Sequence, residues 1–99
     1  PSGKGIAISA MGGAIEFRDV DFRYPDAPEL ALSKVSFRIE EGEHVGLIGP
    51  IGSGKSTIAR LMIGLYPPTS GLILVDGSDI RQLSPSALRS KVGALLQDN

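Results

Sequence analysis

The stretch that decides the fold runs from Gly49 to Thr57 and reads Gly-Pro-Ile-Gly-Ser-Gly-Lys-Ser-Thr. It fits the phosphate-binding loop pattern, in which a glycine and four further residues precede Gly-Lys-Ser or Gly-Lys-Thr. Such a pattern makes a phosphate site only where a strand leads into the loop and a helix leads out of it. The neighbouring sequence therefore decides whether the motif is functional.

Both neighbours of the loop have the required character. The run from His44 to Ile48 is short and largely apolar, which is typical of a buried strand. After the loop, apolar residues recur at the spacing of one helix face, namely Ile58, Leu61, Met62 and Leu65. The sequence thus predicts a strand, a glycine-rich loop and a helix, in that order.

The residue types in the loop suit a polyphosphate. Glycines let the backbone come close to a ligand, and the following helix adds unpaired N–H donors and the positive end of its dipole. We expect Lys55 to contact the β- and γ-phosphates and Ser56 to offer its hydroxyl to Mg²⁺. The predicted nucleotide-binding residues of the loop are Gly49, Pro50, Ile51, Gly52, Ser53, Gly54, Lys55, Ser56 and Thr57. The alternative is a tight turn with an incidental lysine.

Composition narrows the class of protein. The 99 residues are 41% hydrophobic and 21% charged, as in an ordinary globular domain, and the length allows one small domain or part of a larger one. A formal net charge of −1 does not favour a nucleic-acid surface, and the lack of cysteine excludes disulfides and cysteine-based metal sites. The single histidine, His44, is interpreted as a strand-end residue, not as a ligand.

The pattern divides the chain into two parts. Residues 1–13 are rich in Gly, Ser and Ala, and we interpret them as a flexible linker or a remnant of cloning. From residue 14 to 99 apolar residues follow regular periods. Alternation over Ile15 and Phe17 changes phase before Val20 and Phe22, which predicts a bulge or a break near Asp19. A further strand carries Val35, Phe37 and Ile39 on one face.

The second half predicts shorter elements. Residues 66–71 break the helix, residues 72–75 form a strand, and Asp76-Gly77 is a turn signal. Ser84 and Pro85 are typical of an N-cap and a first helical residue, so a short helix should run to about Lys91. An apolar run, residues 92–96, follows. The predicted fold class is α/β, with a mixed sheet and antiparallel strands on its N-terminal side.

With these elements placed, residues 14–99 resemble the N-terminal half of an ABC-transporter nucleotide-binding domain. The resemblance is carried by the phosphate loop, by Phe22-Arg23-Tyr24-Pro25, by Pro68-Thr69-Ser70-Gly71 and by Gln97. It implies a P-loop NTPase core in an incomplete domain. The amino-acid sequences of the loop and of residues 79–83 are most similar to those of exporters. Among exporters, they are most similar to type I secretion ATPases for proteins or peptides.

The resemblance also implies roles for two residues outside the loop. Tyr24 matches the aromatic residue that stacks on adenine in this family, and Gln97 matches the Q-loop glutamine, which reaches Mg²⁺ and takes part in catalysis with Lys55. Tyr24 could equally be a residue of the core if judged from the pattern alone. The cofactors implied are ATP and Mg²⁺.

For the whole protein, the resemblance implies an ATPase that powers export at the cytoplasmic face of the inner membrane. Its partners would be a transmembrane domain and a second nucleotide-binding domain in a head-to-tail dimer. The family's signature motif, its acidic strand with the catalytic glutamate and its later histidine have no match in residues 1–99. We therefore expect a piece of a larger polypeptide that is inactive alone. The alternatives are a non-catalytic nucleotide-binding module and another P-loop NTPase.

Overall fold

The computed structural model describes residues 4–49 and 55–98, which form seven strands, two α-helices and one 3₁₀ helix. The strands are β1 (Lys4–Ala10), β2 (Ile15–Phe22), β3 (Leu32–Ile39), β4 (His44–Gly49), β5 (Ser70–Val75), β6 (Ser78–Asp79) and β7 (Val92–Asp98). The helices are α1 (Lys55–Met62) and α2 (Pro85–Lys91), and the 3₁₀ helix is Ile80–Gln82. Strands and helices together agree with the predicted α/β class.

The strands form two sheets. One has the order β4-β1-β7 and the other the order β3-β2-β5-β6. The second sheet is the predicted antiparallel part. The prediction of a mixed sheet is wrong for the described residues, because all of their strand pairings are antiparallel. The physical reason is that β4 and β7, which run in the same direction, are kept apart by β1.

Over residues 4–10, strand β1 takes the place of the flexible linker that the sequence predicted for residues 1–13. Ile6, Ile8 and Ala10 are 5%, 0% and 1% exposed, and they alternate with the half-buried Ala7 and Ser9. The strand pairs with β4 on one side and β7 on the other, so its backbone polar groups are satisfied within the sheet. Small residues hid a period-2 pattern that was present in the sequence.

The phase change in β2 is a bulge within one continuous strand. The pairing of β2 with β3 shifts register between Phe17 and Val20, and Asp19 between them has a φ of 49°. The Asp19 backbone N–H, which leaves the ladder here, donates to Ser36 Oγ at 2.8 Å. The predicted bulge near Asp19 is confirmed, and both apolar sets of β2 reach the core.

Gly71 on β5 lies against this bulge. It has a φ of +84°, and a Cβ atom placed there would lie 2.6 Å from the carbonyl oxygen of Arg18, with the Asp19 carbonyl also in collision. We expect Gly71→Ala to cost roughly 1–2 kcal/mol for the left-handed backbone and about 1–3 kcal/mol more for the collision. Chemical denaturation measures the free energy of unfolding.

Gly77→Ala is the matched control for Gly71→Ala. Gly77 has a similar φ of +77°, but nothing lies within 4 Å of its Cβ position. The control should show the backbone cost alone. Equal losses of unfolding free energy in the two variants would mean that the bulge makes no steric clash with a side chain at position 71.

The core joins the two sheets to α1. Its fully buried large side chains are Phe17, Ile8, Ile15, Leu61, Met62, Ile73, Val20 and Val75. Helix α1 ends at Met62, where the Gly64 N–H donates to the Leu61 carbonyl and the Leu65 N–H to the Arg60 carbonyl, the pattern of a Schellman motif. Leu65, expected on the buried face, therefore lies beyond the helix and is 61% exposed.

Helix α2 begins as the sequence predicts. The Ser84 side chain accepts a hydrogen bond from the Ala87 N–H at 3.1 Å, and Pro85 is the first helical residue. The helix ends at Lys91, the predicted position, and leads directly into β7.

Asp21 connects β2 to both of its neighbours. Its carboxylate accepts from the Lys34 backbone N–H at 2.7 Å and from the Ser70 hydroxyl at 2.9 Å. These bonds and the Lys34 charge hold the pKa of the Asp21 carboxyl below its ordinary value. A lowered folded-state pKa stabilises the fold above the unfolded pKa of about 3.9, and that contribution is lost as pH falls below it.

We therefore expect Asp21→Asn to lower the melting temperature at pH 7 and to have a progressively smaller effect as the pH falls and the native carboxyl becomes protonated. Thermal unfolding followed by circular dichroism from pH 2.5 to 7 measures this. Glu41→Gln, at an exposed turn residue, is the control. A deficit that stays constant across this pH range would contradict the assigned role of the charge.

Candidate nucleotide-binding site

The predicted phosphate loop lies between the end of β4 and the start of α1. Strand β4 ends at Gly49 and α1 begins at Lys55, as the motif requires. The predicted site residues Pro50, Ile51, Gly52, Ser53 and Gly54 lie outside the described residues. Ser56 is exposed on the first turn of α1. The N–H groups of a helix's first turn have no partners within the helix, so this end of α1 offers donors to an anion.

Thr57 is the residue of the loop motif whose surroundings are best defined. Among the residues whose burial the structure describes, it is the one polar residue that is buried, with 6% exposure. Its Oγ1 lies 2.8 Å from the Tyr24 hydroxyl. This hydrogen bond connects the first turn of α1 to the loop after β2.

Tyr24 is half-buried in a cluster of aromatic rings. Its ring meets Phe22 edge-to-face at 4.9 Å and Tyr66 edge-to-face at 5.4 Å between centroids. It therefore packs against the core and also lies beside the helix that carries Lys55, Ser56 and Thr57. The structure brings Tyr24 and the phosphate-loop helix together, as the predicted site needs. Stacking on a base stays a prediction.

Arg60 is a site residue that the sequence analysis missed. It lies on α1, one turn after Thr57, and its Nη1 donates to the Tyr24 hydroxyl at 2.7 Å. Its Cζ is 5.9 Å from the centroid of the Tyr24 ring, within reach of a cation–π interaction. The only available signal was the spacing of three residues from Thr57, which places both side chains on one face of the helix.

Gln97 lies at the same end of the sheet as the phosphate loop. On β1, Gly5 pairs with Ile48 of β4 and with Gln97 of β7. Two strand spacings separate the backbones of Ile48 and Gln97, which is about 10 Å. The side chains of Gln97 and Lys55 are not among those described, so the predicted roles of these two residues stay predictions.

Residues 32–99 match the family model described as ABC transporter. The chain belongs to the ABC transporter family. The match includes β3, β4, the loop motif, α1 and β7, and it confirms the family resemblance drawn from the residues.

Individual ABC proteins are similar to nearly all of the chain. The mouse protein "ATP-binding cassette sub-family B member 10, mitochondrial" is 49% identical over 101 residues, which cover 99% of this chain and 14% of that protein. "Alpha-hemolysin translocation ATP-binding protein HlyB" of Proteus vulgaris is 42% identical over 95 residues, covering 95% and 13%. "Toxin RTX-I translocation ATP-binding protein" of Actinobacillus pleuropneumoniae is 44% identical over the same length.

A solved ABC structure has a similar fold. The structure of a bacterial Atm1-family ABC exporter with ATP bound matches 81% of this chain and 14% of its own, with a TM-score of 0.67 and 35% identity. The chain therefore spans about one seventh of the length of the relatives it matches. Among the described residues, no helix has the length and apolar character needed to cross a membrane.

Proposed function

We propose that this chain is the nucleotide-binding half-site of an ABC transporter ATPase that powers export. The single observation that carries the proposal is the position of Tyr24, whose hydroxyl is bonded to Thr57 on the helix that follows the loop motif. An aromatic ring and the first turn of a helix thus lie side by side. This is the pairing of surfaces that a base linked to a triphosphate needs.

The hydrogen-bond donors at the start of α1 suit the phosphates of a nucleoside triphosphate. The first turn of α1 reads Lys55-Ser56-Thr57-Ile58, so it brings no acidic side chain to the N-terminal end of the helix. Unpaired N–H groups and a positive dipole end favour phosphate oxygens there. In this proposal Lys55 binds the β- and γ-phosphates, and residues 49–57 surround the phosphates.

Mg²⁺ belongs to the same proposal. Ser56 is exposed on the first turn of α1, so a bound ion can reach its side chain. Mg²⁺ in such sites takes one or two protein oxygens and fills its shell with phosphate oxygen and water. Ser56 and Gln97 would hold the ion, which would neutralise charge that develops on the phosphates. Lys55 and Gln97 are the proposed catalytic residues of this chain.

The proposed partners are those of the family. They are a transmembrane domain and a second nucleotide-binding domain in a head-to-tail dimer, at the cytoplasmic face of the inner membrane. Two relatives named for the translocation of a hemolysin and a toxin favour protein or peptide export as the driven process.

Calorimetric titration with ATP, with and without Mg²⁺, tests the proposal. We expect saturable binding that is tighter with Mg²⁺, because the cation offsets phosphate charge. A parallel ATPase assay separates the enzyme from a non-catalytic nucleotide-binding module, which would bind without turnover in the complete transporter. Absence of binding by folded protein would contradict the proposal.

A further inference from the structure

Three side chains form a continuous hydrogen-bonded chain between α1 and the loop after β2. Arg60 Nη1 lies 2.7 Å from the Tyr24 hydroxyl, and that hydroxyl lies 2.8 Å from Thr57 Oγ1. Both outer members belong to the same helix, three residues apart. The Tyr24 hydroxyl is therefore held from two points on the element that carries the phosphate-binding donors.

The chemistry of the groups sets the direction of one of these two hydrogen bonds. A guanidinium has donors and no acceptor, so Arg60 donates and the Tyr24 oxygen accepts. The Tyr24 hydroxyl and Thr57 Oγ1 share the second hydrogen bond, in which either oxygen can donate, because each hydroxyl has one hydrogen and two lone pairs.

Packing fixes the ring in the remaining directions. Phe22 and Tyr66 meet the Tyr24 ring edge-to-face, and the Arg60 guanidinium lies 5.9 Å from its centroid. Arg60 thus acts on Tyr24 twice, through a charge-assisted hydrogen bond to the hydroxyl and through attraction to the ring.

We propose that Arg60 is a positioning residue that fixes the Tyr24 ring relative to the phosphate-binding end of α1, so that the base of a bound nucleoside triphosphate meets a preorganised stacking surface. This inference rests on the proposed nucleotide-binding function. Arg60 acts through Tyr24, so its contribution concerns the base and not the phosphates. A ring held in place before binding loses less freedom when the base arrives.

The test compares MgATP with inorganic tripolyphosphate, which has the phosphates but no base, by calorimetry on purified protein. We expect Arg60→Ala to weaken MgATP binding about threefold to tenfold and to leave tripolyphosphate affinity unchanged. Arg60→Lys should recover part of the loss, because an ammonium can donate to the hydroxyl but is not a planar guanidinium. Arg89→Ala, which removes an exposed arginine from α2, is the matched control.

A double-mutant cycle with Tyr24→Phe shows whether Arg60 acts through the hydroxyl. Tyr24→Phe keeps the ring and removes both hydrogen bonds, so adding Arg60→Ala to it should weaken MgATP binding much less than in the unmodified protein. Equal losses for MgATP and tripolyphosphate, fully additive losses in the cycle, or no loss at all would each overturn the inference. If unmodified folded protein binds neither ligand, the proposed function fails and the inference fails with it.

Discussion

Replacement of Lys55 by alanine should strongly weaken nucleotide binding. Lys55 is the first residue of α1 and supplies the one full positive charge of the loop motif. A helix N-terminus contributes only partial charges, and removing one member of a hydrogen-bonded charge pair costs about 2–5 kcal/mol. We therefore expect MgATP affinity to fall by at least about thirtyfold. Isothermal titration calorimetry at matched protein concentration measures the loss.

The control for Lys55→Ala removes a lysine elsewhere. Lys34 on β3 is 71% exposed at its side chain, and its Nζ lies 3.7 Å from Asp21 on β2. Both residues belong to the sheet that does not contain β4. Lys34→Ala should leave MgATP affinity within twofold of that of the unmodified protein. A twofold change corresponds to about 0.4 kcal/mol of binding free energy. Unchanged affinity in Lys55→Ala itself, in protein with normal circular dichroism, would return the stretch to its alternative interpretation as a tight turn with an incidental lysine.

Replacement of Ile8 by aspartate should unfold the protein or leave it barely stable. Ile8 lies in the central strand β1 with no exposure, and its Cα partners are Val45 on β4 and Ala94 on β7. The substitution removes a buried aliphatic side chain, worth about 2–5 kcal/mol, and buries a carboxyl without a partner. The sum is comparable with the whole stability of a small domain, about 5–15 kcal/mol.

Ser9→Asp is the matched control for Ile8→Asp, because it adds the same charge one residue further on, at the opposite face of the sheet. Ser9 Oγ lies 2.7 Å from Nδ1 of the exposed His44. A carboxylate at position 9 can therefore reach solvent and form a hydrogen bond with the His44 imidazole. Urea denaturation of both variants measures the difference. A similar, small effect of both substitutions would mean that β1 is not packed and that the linker interpretation of residues 1–13 was right.

The sequence predicted the elements whose local pattern is strong. The bulge in β2 followed from a change of phase between Phe17 and Val20, and the start of α2 from Ser84 and Pro85. These features depend on neighbours in the chain, so a short window contains the information. The strand before the loop motif and the helix after it were predicted for the same reason.

The features that escaped prediction depend on contacts between distant residues. In β1 the small residues Gly5, Ala7 and Ser9 obscure the pattern, and only the pairing with β4 and β7 turns Ile6 and Ile8 into core. Because β1 lies between β4 and β7, the strand pairings in this sheet are antiparallel, and the expected mixed sheet is not formed. Within the site, the motif identified Thr57 and the resemblance identified Tyr24, whereas Arg60 became visible only when β2 and α1 were placed together.

The place of β1 in the sheet affects the order in which the chain can fold. Lys4 pairs with Asp98, so the first described strand depends on the last one for half of its hydrogen bonds. A ribosome synthesises residues 15–79, which contain the whole β3-β2-β5-β6 sheet, before it adds the residues of β7. Until then β1 presents an open edge, and closing it requires a contact of very long sequence separation, which slows folding. Strand β1, which consists largely of small residues, is therefore among the last strands to form all of its hydrogen bonds.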